Sequence, residues 1–343
     1  MGIYNIYFHP LTRYPGPKQW TVTRLRYVYS LWSGTLSKDV RQLHLQYGNV
    51  VRIAPNEISF ARPDAMNDIY MNLPGRSAIP KSEVWHSPQP ERPVSVLNAL
   101  EAKNHQRFRK AIESGFTDRA VRAQEPVIQS YSNLLISQLD KLVSKASDGA
   151  VVDIVRWYEF TVFDLIGDLG FGESFNCLQS NELHPWVSLI FNSLQAATLN
   201  ASLRYYPQVH WLASFAIPKS VKRKGDEHWQ LAMNKVNRRL NLEKQRPDLI
   251  SLIKRDDDGL EGLTVPEIQA TASVIIVAGS ETTTTVLSGI TNHLIKNPDR
   301  LARLSSEIRG LFLEEKDMSL SALQNVPYLN AVIQEGLRLC NPV

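Results

Sequence analysis

The chain has 343 residues, 43% of them hydrophobic and 21% charged, with a formal net charge of +4. This composition is typical of a folded protein with a sizeable core and excludes a disordered chain. The charge is too small and too scattered to indicate a nucleic-acid-binding face. Two cysteines exclude a disulfide framework and favour a reducing compartment, and no uninterrupted apolar stretch reaches the roughly 20 residues of a membrane-spanning helix.

A proline-rich segment opens the chain. Pro10, Pro15 and Pro17, with Gly16 between the last two, predict a stiff, extended stretch that cannot be the interior of a helix. Proline fixes one backbone angle and removes a hydrogen-bond donor.

A hairpin and a series of helices are predicted next. Residues 50–53 and 58–61 are strand-like runs on either side of a turn sequence. From Ala65 onward the apolar spacing is mostly helical, with a long proline-rich loop over residues 79–93. A basic run at 219–224 beside acidic residues is interpreted as a solvated loop, with a membrane-surface contact as the alternative. The fold class is therefore mainly α with a small β-sheet.

The best-marked element is a helix that begins after Thr264. Thr264 can cap this helix, Pro266 suits its first turn, and Glu267 stands where a capping box needs an acid. We expect it to end near Lys296, because Asn297-Pro298 opens another helix. About 32 residues at about 1.5 Å each span roughly 48 Å, so the helix must pass through the middle of the molecule.

A polar break interrupts this helix at Ala278-Gly279-Ser280-Glu281-Thr282-Thr283. Glu281 and Thr282 cannot both turn away from the core, and Gly279 lets a flat group approach the backbone. Two interpretations follow. The turn is either an opened proton relay lined by an acid and an alcohol, or a threonine-rich kink whose hydroxyls bond to its own backbone.

Two further pairs of residues have spacings that suit binding or pairing. His105 and Arg109, at i and i+4, would project two donors from one helix face and hold a carboxylate; the alternative is an exposed basic helix. Glu335 and Arg338, at i and i+3 on a helix begun near Pro327, can form an ion pair. Such pairs are usually solvated and then contribute little stability.

Together these motifs resemble the cytochrome P450 family of haem-thiolate monooxygenases. The oxygen-activating helix of that family carries Ala/Gly-Gly-x-Asp/Glu-Thr-Thr/Ser, and residues 278–283 fit at every fixed position. Its Glu-x-x-Arg motif follows at 335–338. The likeness covers residues 9–338 and looks closest to fungal microsomal members that oxidise secondary metabolites, including the trichothecene oxygenases.

The resemblance implies a role for each residue of these motifs. Thr282 would hydrogen-bond bound dioxygen and its waters, and Glu281 would help to pass protons to it, so these two are the expected catalytic residues. Glu335 and Arg338 would be structural, locked in a buried triad with a later arginine. The cofactor-binding residues would be His105, Arg109, Ala278, Gly279 and Thr283.

The resemblance also implies a cysteine ligand that this sequence does not contain. The family motif Phe-x-x-Gly-x-Arg-x-Cys-x-Gly is absent; Cys340 matches the end of the Glu-x-x-Arg helix, and Cys177 is interpreted as a small packed residue. We therefore expect no metal ligand. The expected organisation is a hinge at 1–17 after a missing membrane anchor, then an incomplete cytochrome P450 domain at 18–343 that is inactive by itself.

The implied cofactor is haem b, reduced by NADPH through a membrane-bound cytochrome reductase that basic residues such as Arg107 and Lys110 would face. The implied substrate is a lipophilic small molecule, bound against residues 94–100, residues 189–199 and the helix face near Ile276. The complete protein would lie on the cytosolic face of the endoplasmic reticulum membrane. Besides such a hydroxylase or epoxidase, the alternatives are a non-catalytic remnant that binds a ligand and an unrelated helical protein.

Overall fold

The computed structural model describes residues 1–71, 74–77, 79–88, 92–147, 149–185, 197–216, 219–241, 248–253 and 262–342. The chain divides into two compact units. Unit 1 comprises Met1–Ser87, Leu100–Ala102 and Leu194–Pro218. Unit 2 comprises Pro88–Ala99, Lys103–Ser193 and Lys219–Val343. The domain boundary that the sequence suggests at residue 17 stays a prediction.

The described residues are mainly helical, as the sequence predicts, with one short hairpin. The first elements in chain order are α1 (Gly2–Tyr7), α2 (Lys18–Val22), α3 (Leu25–Trp32), α4 (Leu36–Tyr47), β1 (Val50–Ala54), β2 (Glu57–Phe60), α5 (Pro63–Tyr70), α6 (Glu83–His86), α7 (Ala102–Ile112), α8 (Asp118–Ala123), α9 (Glu125–Lys145), α10 (Ile154–Phe171) and α11 (Cys177–Ser180). There follow α12 (197–203), α13 (Pro207–Ala216), α14 (Lys219–Leu240), α15 (Leu249–Leu252), α16 (Val265–Lys296), α17 (Pro298–Leu311), α18 (Leu320–Leu323) and α19 (Pro327–Leu339).

The hairpin confirms the strand prediction; β1 continues one residue beyond its predicted end, and β2 lies one residue earlier than predicted. β1 and β2 pair in antiparallel fashion, and a register shift after Arg52 marks a bulge. The side chain of Arg52 is buried and donates to the carbonyl oxygens of Asn5 (2.9 Å) and Pro55 (3.1 Å). Its backbone N–H also donates to the Pro15 carbonyl, at 2.8 Å, so the hairpin holds the proline-rich segment in place.

The proline-rich segment is extended where the sequence predicts it, at Tyr14 and Pro17. Gly16 is required there, because a Cβ at this position would overlap the carbonyl oxygen of Arg52. A short helix before it, α1, and a 3₁₀ turn inside it, over Pro10–Arg13, were not predicted, so the segment is extended only in its second part. Both are too short to show an apolar period in the sequence.

The core of unit 1 is aromatic and encloses a cation. Arg24 is buried, pairs with Glu57 and donates to Asn56 Oδ1 at 2.6 Å. Its guanidinium carbon lies 4.0 Å from the centroid of the Tyr205 ring, a cation–π contact. The buried hydrophobic side chains around this cluster are Trp20, Tyr27, Val28, Leu43, Val51 and Ile53.

Unit 2 is organised around α10 and α16, which make the most extensive helix–helix contact among the described residues. α10 begins at the Asp153 cap and ends at Gly172, whose φ of 72° is the left-handed conformation that terminates many helices. The shared core contains Phe108, Trp157, Phe160, Phe163, Phe171, Cys177, Leu178, Ile268 and Ile276.

The bounds of α16 confirm the sequence prediction, from the cap at Thr264 to Lys296. The N–H of Thr264 donates to Glu267 Oε2 at 2.9 Å, as the capping box requires. By length and composition alone, α16 is long and apolar enough to cross a membrane, which corrects the expectation that no segment is. Core helices meet the same test, and Ile268 and Ile276 of α16 lie in the core of unit 2.

A buried ion pair joins the end of α14 to the start of α15. Asp248 is 1% exposed and Arg239 is 6% exposed, and their side chains form a salt bridge. Asp248 Oδ1 also accepts the N–H of Ser251, at 2.9 Å, and thereby caps α15. A second network lies nearby, since Lys235 (2.5 Å) and Arg238 (3.2 Å) of α14 both pair with Glu173 just after α10.

α16 and α19 approach each other through two glycines. A Cβ at Gly289 of α16 would overlap Sγ of Cys340, and a Cβ at Gly336 of α19 would overlap the side chain of Ile290. Each helix therefore receives a side chain of the other in a notch left by a glycine. These contacts place Cys340 at the C-terminal cap of α19 and against α16.

Two sequence interpretations are wrong. The basic run at 219–224 is not a loop, because it forms the first turns of α14. The loop predicted over 79–93 contains the single turn α6, and residues 89–91 lie outside the described part of the chain. The charges of the first run and the prolines of the second concealed a helix in each case, of 22 residues in α14 and of one turn in α6.

Candidate active site

The polar break of α16 does not interrupt the helix, which runs continuously from Val265 to Lys296. Ser280 Oγ donates to the Ile276 carbonyl at 2.7 Å, and Thr282 Oγ1 donates to the Ala278 carbonyl at 2.6 Å. These are the side-chain-to-backbone hydrogen bonds that the second interpretation, a threonine-rich turn bonded to its own backbone, predicts. The relay interpretation stays open, because a hydroxyl that donates one bond still has acceptor capacity.

The side chains of the break divide between two surfaces. Ser280 is buried in unit 2, whereas Ala278, Glu281 and Thr283 are exposed and Thr282 is partly exposed. The Cβ position of Gly279 lies 2.9 Å from Ile166 Cδ1 of α10. The close approach observed at this glycine is therefore between two helices, and its approach to a cofactor stays a prediction.

Glu281 has an acidic neighbour that the sequence motifs did not reveal. Partial burial raises the pKa of Glu281 above its ordinary value. Burial, followed by the negative charge of Glu281, also raises the pKa of Glu159 on α10. Residues so far apart in the chain cannot be predicted to interact from their spacing in the sequence. The interaction of Glu159 with Glu281 becomes recognisable only once α10 is seen to pack on α16.

His105 and Arg109 lie on α7, which Phe108 and Ala111 anchor in the core of unit 2. His105 is partly buried and Arg109 is exposed. The helix and the i, i+4 spacing are as predicted, while the binding of a haem propionate stays a prediction. Two such donors on one helix face suit a carboxylate.

Arg107, on the same helix, is already engaged within unit 2. Its guanidinium donates to the Gly262 carbonyl at 2.7 Å and pairs with Glu267 at the start of α16. Burial alone would raise the pKa of Glu267, but Arg107 and Thr264 outweigh it and hold that pKa below its ordinary value. Arg107 therefore braces α7 against α16, and the suggestion that it faces a reductase stays a prediction.

Glu335 and Arg338 form a bidentate pair on α19, with distances of 2.6 and 2.7 Å. Both side chains are exposed. Hydrogen bonding to Arg338 lowers the pKa of Glu335. The pairing agrees with the i, i+3 spacing, while membership of a buried triad stays a prediction.

Both cysteines take part in packing. Cys177 lies fully buried in the core, its Sγ accepts the N–H of His184 at 3.4 Å, and burial raises its pKa to about 11. Cys340 fills the notch at Gly289. Among the described residues, no group of three or more His, Cys, Asp or Glu side chains suits a metal ion.

The packing predicts different reactivities for the two thiols. At pH 8, a disulfide reagent such as 5,5′-dithiobis(2-nitrobenzoate) should label Cys340 first, because it is partly exposed. Cys177 should react only when the chain unfolds, since the thiolate is the reactive form and its pKa is raised. The variants Cys177→Ala and Cys340→Ala assign each phase. Rapid labelling of Cys177 in the folded chain would contradict the packing described here.

Some of the residues expected to line a substrate cavity pack in the core, whereas Leu97 and Leu199 are exposed. Ile276 is buried, and Val94 and Val96 pack against the same cluster. The Val96 N–H approaches Thr271 Oγ1 of α16 at 3.4 Å. Residues 189–196 lie outside the described part, so the expected cavity at 94–100 and 189–199 stays a prediction.

Comparison with known proteins identifies the family. A family model described as cytochrome P450 matches residues 15–343. Over 99% of the chain, the cytochrome P450 monooxygenase lcsI of Purpureocillium lilacinum is 40% identical and averantin hydroxylase of Dothistroma septosporum is 38% identical. Trichothecene C-15 hydroxylase of Fusarium sporotrichioides is also 38% identical over 99% of the chain.

The chain spans 66%, 63% and 68% of the lengths of these three relatives. The match is continuous across both units and includes the polar break of α16, the helix with His105 and Arg109, and the helix with Glu335 and Arg338. By this likeness, the chain belongs to the cytochrome P450 family.

Proposed function

We propose that the chain is the larger part of a haem-thiolate monooxygenase that hydroxylates or epoxidises a lipophilic small molecule of fungal secondary metabolism. The observation that carries this proposal is the turn of α16 at residues 278–283. It presents an acid and an alcohol on the exposed face of a helix that otherwise runs through the core of unit 2. The residue types and their order in this turn match the oxygen-activating helix of the cytochrome P450 family, to which the chain belongs.

The residues present fit haem on two sides. His105 and Arg109 offer a cationic donor pair for its carboxylates, and the exposed Ala278 leaves room beside α16 for a flat group. When bound, haem supplies the oxidising chemistry, and the protein supplies binding, orientation and protons. The Thr282 hydroxyl holds a water at the exposed face, and Glu281 delivers protons there, which its raised pKa favours.

The proposed partners are an NADPH-dependent reductase and a membrane surface on the cytosolic side of the endoplasmic reticulum. Unit 1 carries exposed apolar and aromatic side chains that support a membrane contact. They include Ile3, Tyr7 and Phe8 at the N-terminal end and Trp211, Leu212 and Phe215 on α13. Tryptophan and tyrosine are common where proteins meet the interfacial region of a bilayer.

A non-catalytic protein that only binds a lipophilic ligand is the second candidate. It is favoured by the packing of both cysteines, since Cys177 is fully buried and Cys340 fills the notch at Gly289. The coding sequence beyond Val343 distinguishes the two candidates. A cysteine loop in the encoded protein supports the monooxygenase, and a stop codon at this point supports the ligand-binding protein.

The Thr282→Ala variant of the complete enzyme tests the proposed relay. We expect product formed per NADPH consumed to fall about tenfold, because general acid–base groups typically contribute at least that much. Hydrogen peroxide release should rise in compensation. The folded stability should change by less than about 0.5 kcal/mol, since only the bond to the Ala278 carbonyl is lost.

Thr285→Ala is the matched control, because Thr285 is an exposed threonine of the same helix outside the proposed relay. It should leave the ratio of product to NADPH unchanged. Full coupling in the Thr282→Ala enzyme would refute the relay role of Thr282.

A further inference from the structure

One carboxylate, that of Glu267, joins the start of α16 to the middle of α7. Its Oε1 pairs with Arg107, and its Oε2 accepts a second N–H of the same guanidinium at 3.1 Å. Oε2 also accepts the backbone N–H of Thr264 at 2.9 Å and the Thr264 hydroxyl at 3.0 Å. Glu267 therefore closes the first turn of α16 and holds α7 at the same time.

The guanidinium of Arg107 is held by several acceptors at once. Besides Glu267, it donates to the Gly262 carbonyl at 2.7 Å and to Asn104 Oδ1 at 3.0 and 3.2 Å. The side chain of Arg107 is 26% exposed and that of Glu267 is 17% exposed, so water screens this pair only in part. A bidentate arginine–carboxylate pair fixes an angle as well as a distance. The contact therefore sets the rotation of α7 relative to the start of α16.

The proposed cofactor contacts of α7 lie on the other side of this helix. His105 and Arg109 are each two residues from Arg107, which places them about 200° around the helix from it. Phe108 and Ala111 hold α7 in the core of unit 2. Apolar contacts have no preferred direction, so they keep α7 in place without fixing its rotation as closely as the ion pair does.

The other proposed cofactor surface belongs to α16 itself. Glu281 follows Glu267 by 14 residues, which is about 21 Å along the helix axis. Because α16 is continuous from Val265 to Lys296, the position of its first turn also fixes the position of the turn at 278–283. The contact at Glu267 thus relates the two surfaces that the proposed function assigns to haem.

We propose that Arg107 and Glu267 are positioning residues of the haem site, and that their ion pair sets the distance and angle between the donor pair on α7 and the turn at 278–283. Neither residue contacts the haem in this proposal, which rests on the monooxygenase function proposed above. Without the ion pair, α7 can rotate on its apolar contacts. His105 and Arg109 then spend less time in the binding orientation, and the apparent affinity for haem falls by that fraction.

Release of haem from the complete protein is the first test. The loaded wild-type and Arg107→Gln proteins are mixed with excess apomyoglobin, and the transfer of haem is followed by absorption. We expect transfer to be about tenfold faster from the variant, the lower end of the effects seen when a group that orients a ligand is removed. Arg107→Lys should lie between the two, because lysine keeps the charge but cannot form a bidentate pair.

A double variant and a control distinguish positioning from general loosening of the fold. Glu267→Gln should also release haem faster, and its combination with Arg107→Gln should be no faster than either alone, because both remove one contact. Thr264→Ala is the control, since Thr264 belongs to the capping box and not to the ion pair. This variant should lower the Tm by about 2 °C and leave haem release unchanged.

Three results of these measurements would overturn the proposal. They are unchanged haem release from the Arg107→Gln protein, additive effects of the substitutions at 107 and 267, and equal acceleration in the Thr264→Ala protein.

Hydrogen exchange of the 343-residue chain adds a measurement that needs no haem. In the Arg107→Gln chain, the amides of α7 should exchange about fivefold faster, while those of α10 keep their wild-type rates. Unchanged exchange in α7 would overturn the proposal. A complete wild-type protein that binds no haem would refute the proposed function and this role with it. Haem binding with release unaffected by Arg107→Gln would refute the positioning role alone.

Discussion

The Asp248→Asn substitution is expected to lower the free energy of unfolding by about 3–5 kcal/mol. Asparagine has the shape of aspartate and can still accept the N–H of Ser251, so the cap of α15 survives. The guanidinium of Arg239, which is 6% exposed, would instead lose the negative charge of Asp248. Loss of one partner of a buried pair costs more than the pair itself contributes, because the remaining charge is desolvated and uncompensated.

Urea unfolding followed by circular dichroism measures this effect. Glu227→Gln is the control, since Glu227 and Arg223 form an exposed pair one turn apart on α14 and such pairs contribute about 0.5 kcal/mol or less. Replacing both Arg239 and Asp248, by methionine and leucine, should restore most of the lost stability, as an apolar pair needs no desolvation. A single substitution that costs no more than the control would contradict the burial of this ion pair.

The Gly336→Ala substitution is expected to destabilise the chain by about 1–3 kcal/mol. In an exposed helix, glycine to alanine normally stabilises by about 1 kcal/mol, because alanine has the higher helix propensity. Here the new methyl group would overlap the side chain of Ile290, and the clash between two packed helices outweighs the gain in propensity. Gly289→Ala should act in the same direction through Cys340.

Gly310→Ala on α17 is the control, and thermal unfolding measures both variants. Its effect should have the opposite sign, because nothing lies within 4 Å of a Cβ at that position. This substitution should raise the free energy of unfolding by about 0.5 kcal/mol. The gain is smaller than at the middle of a helix, because Gly310 lies in the last turn of α17. Ile290→Ala should cancel much of the cost of Gly336→Ala when the two are combined. Equal effects of the alanines at 336 and 310 would show that α19 does not pack on α16 as described.

The elements that the sequence predicted most accurately are those with local chemical signals at their ends. α16 was predicted from the capping box at Thr264 and Glu267 and from Asn297-Pro298 at its other end, and its bounds agree. The hairpin was predicted from a turn between two apolar runs. Family motifs also placed His105, Arg109, Glu335 and Arg338 on the helices where the structure has them.

The features that escaped prediction depend on contacts between distant parts of the chain. From the sequence alone, Arg107 is interpreted as a solvated basic residue. Its partners Gly262 and Glu267 lie about 160 residues away in the chain, so only the structure shows the contact. Glu159 lies in no motif and becomes relevant only because α10 packs on α16. Single helical turns such as α6 fall below the length at which an apolar period can be recognised.

The two glycine notches between α16 and α19 also limit how this family member can change. A bulkier residue at 336 is acceptable only with a smaller one at 290, and the same holds between 289 and 340. Sliding α19 by one residue would bring Glu335 or Leu337 against Ile290. A shift of α19 along α16 therefore cannot compensate for a larger residue at 336. Among homologues, these four positions are expected to vary as two linked pairs, which allows their covariation to reveal the contact without any structure.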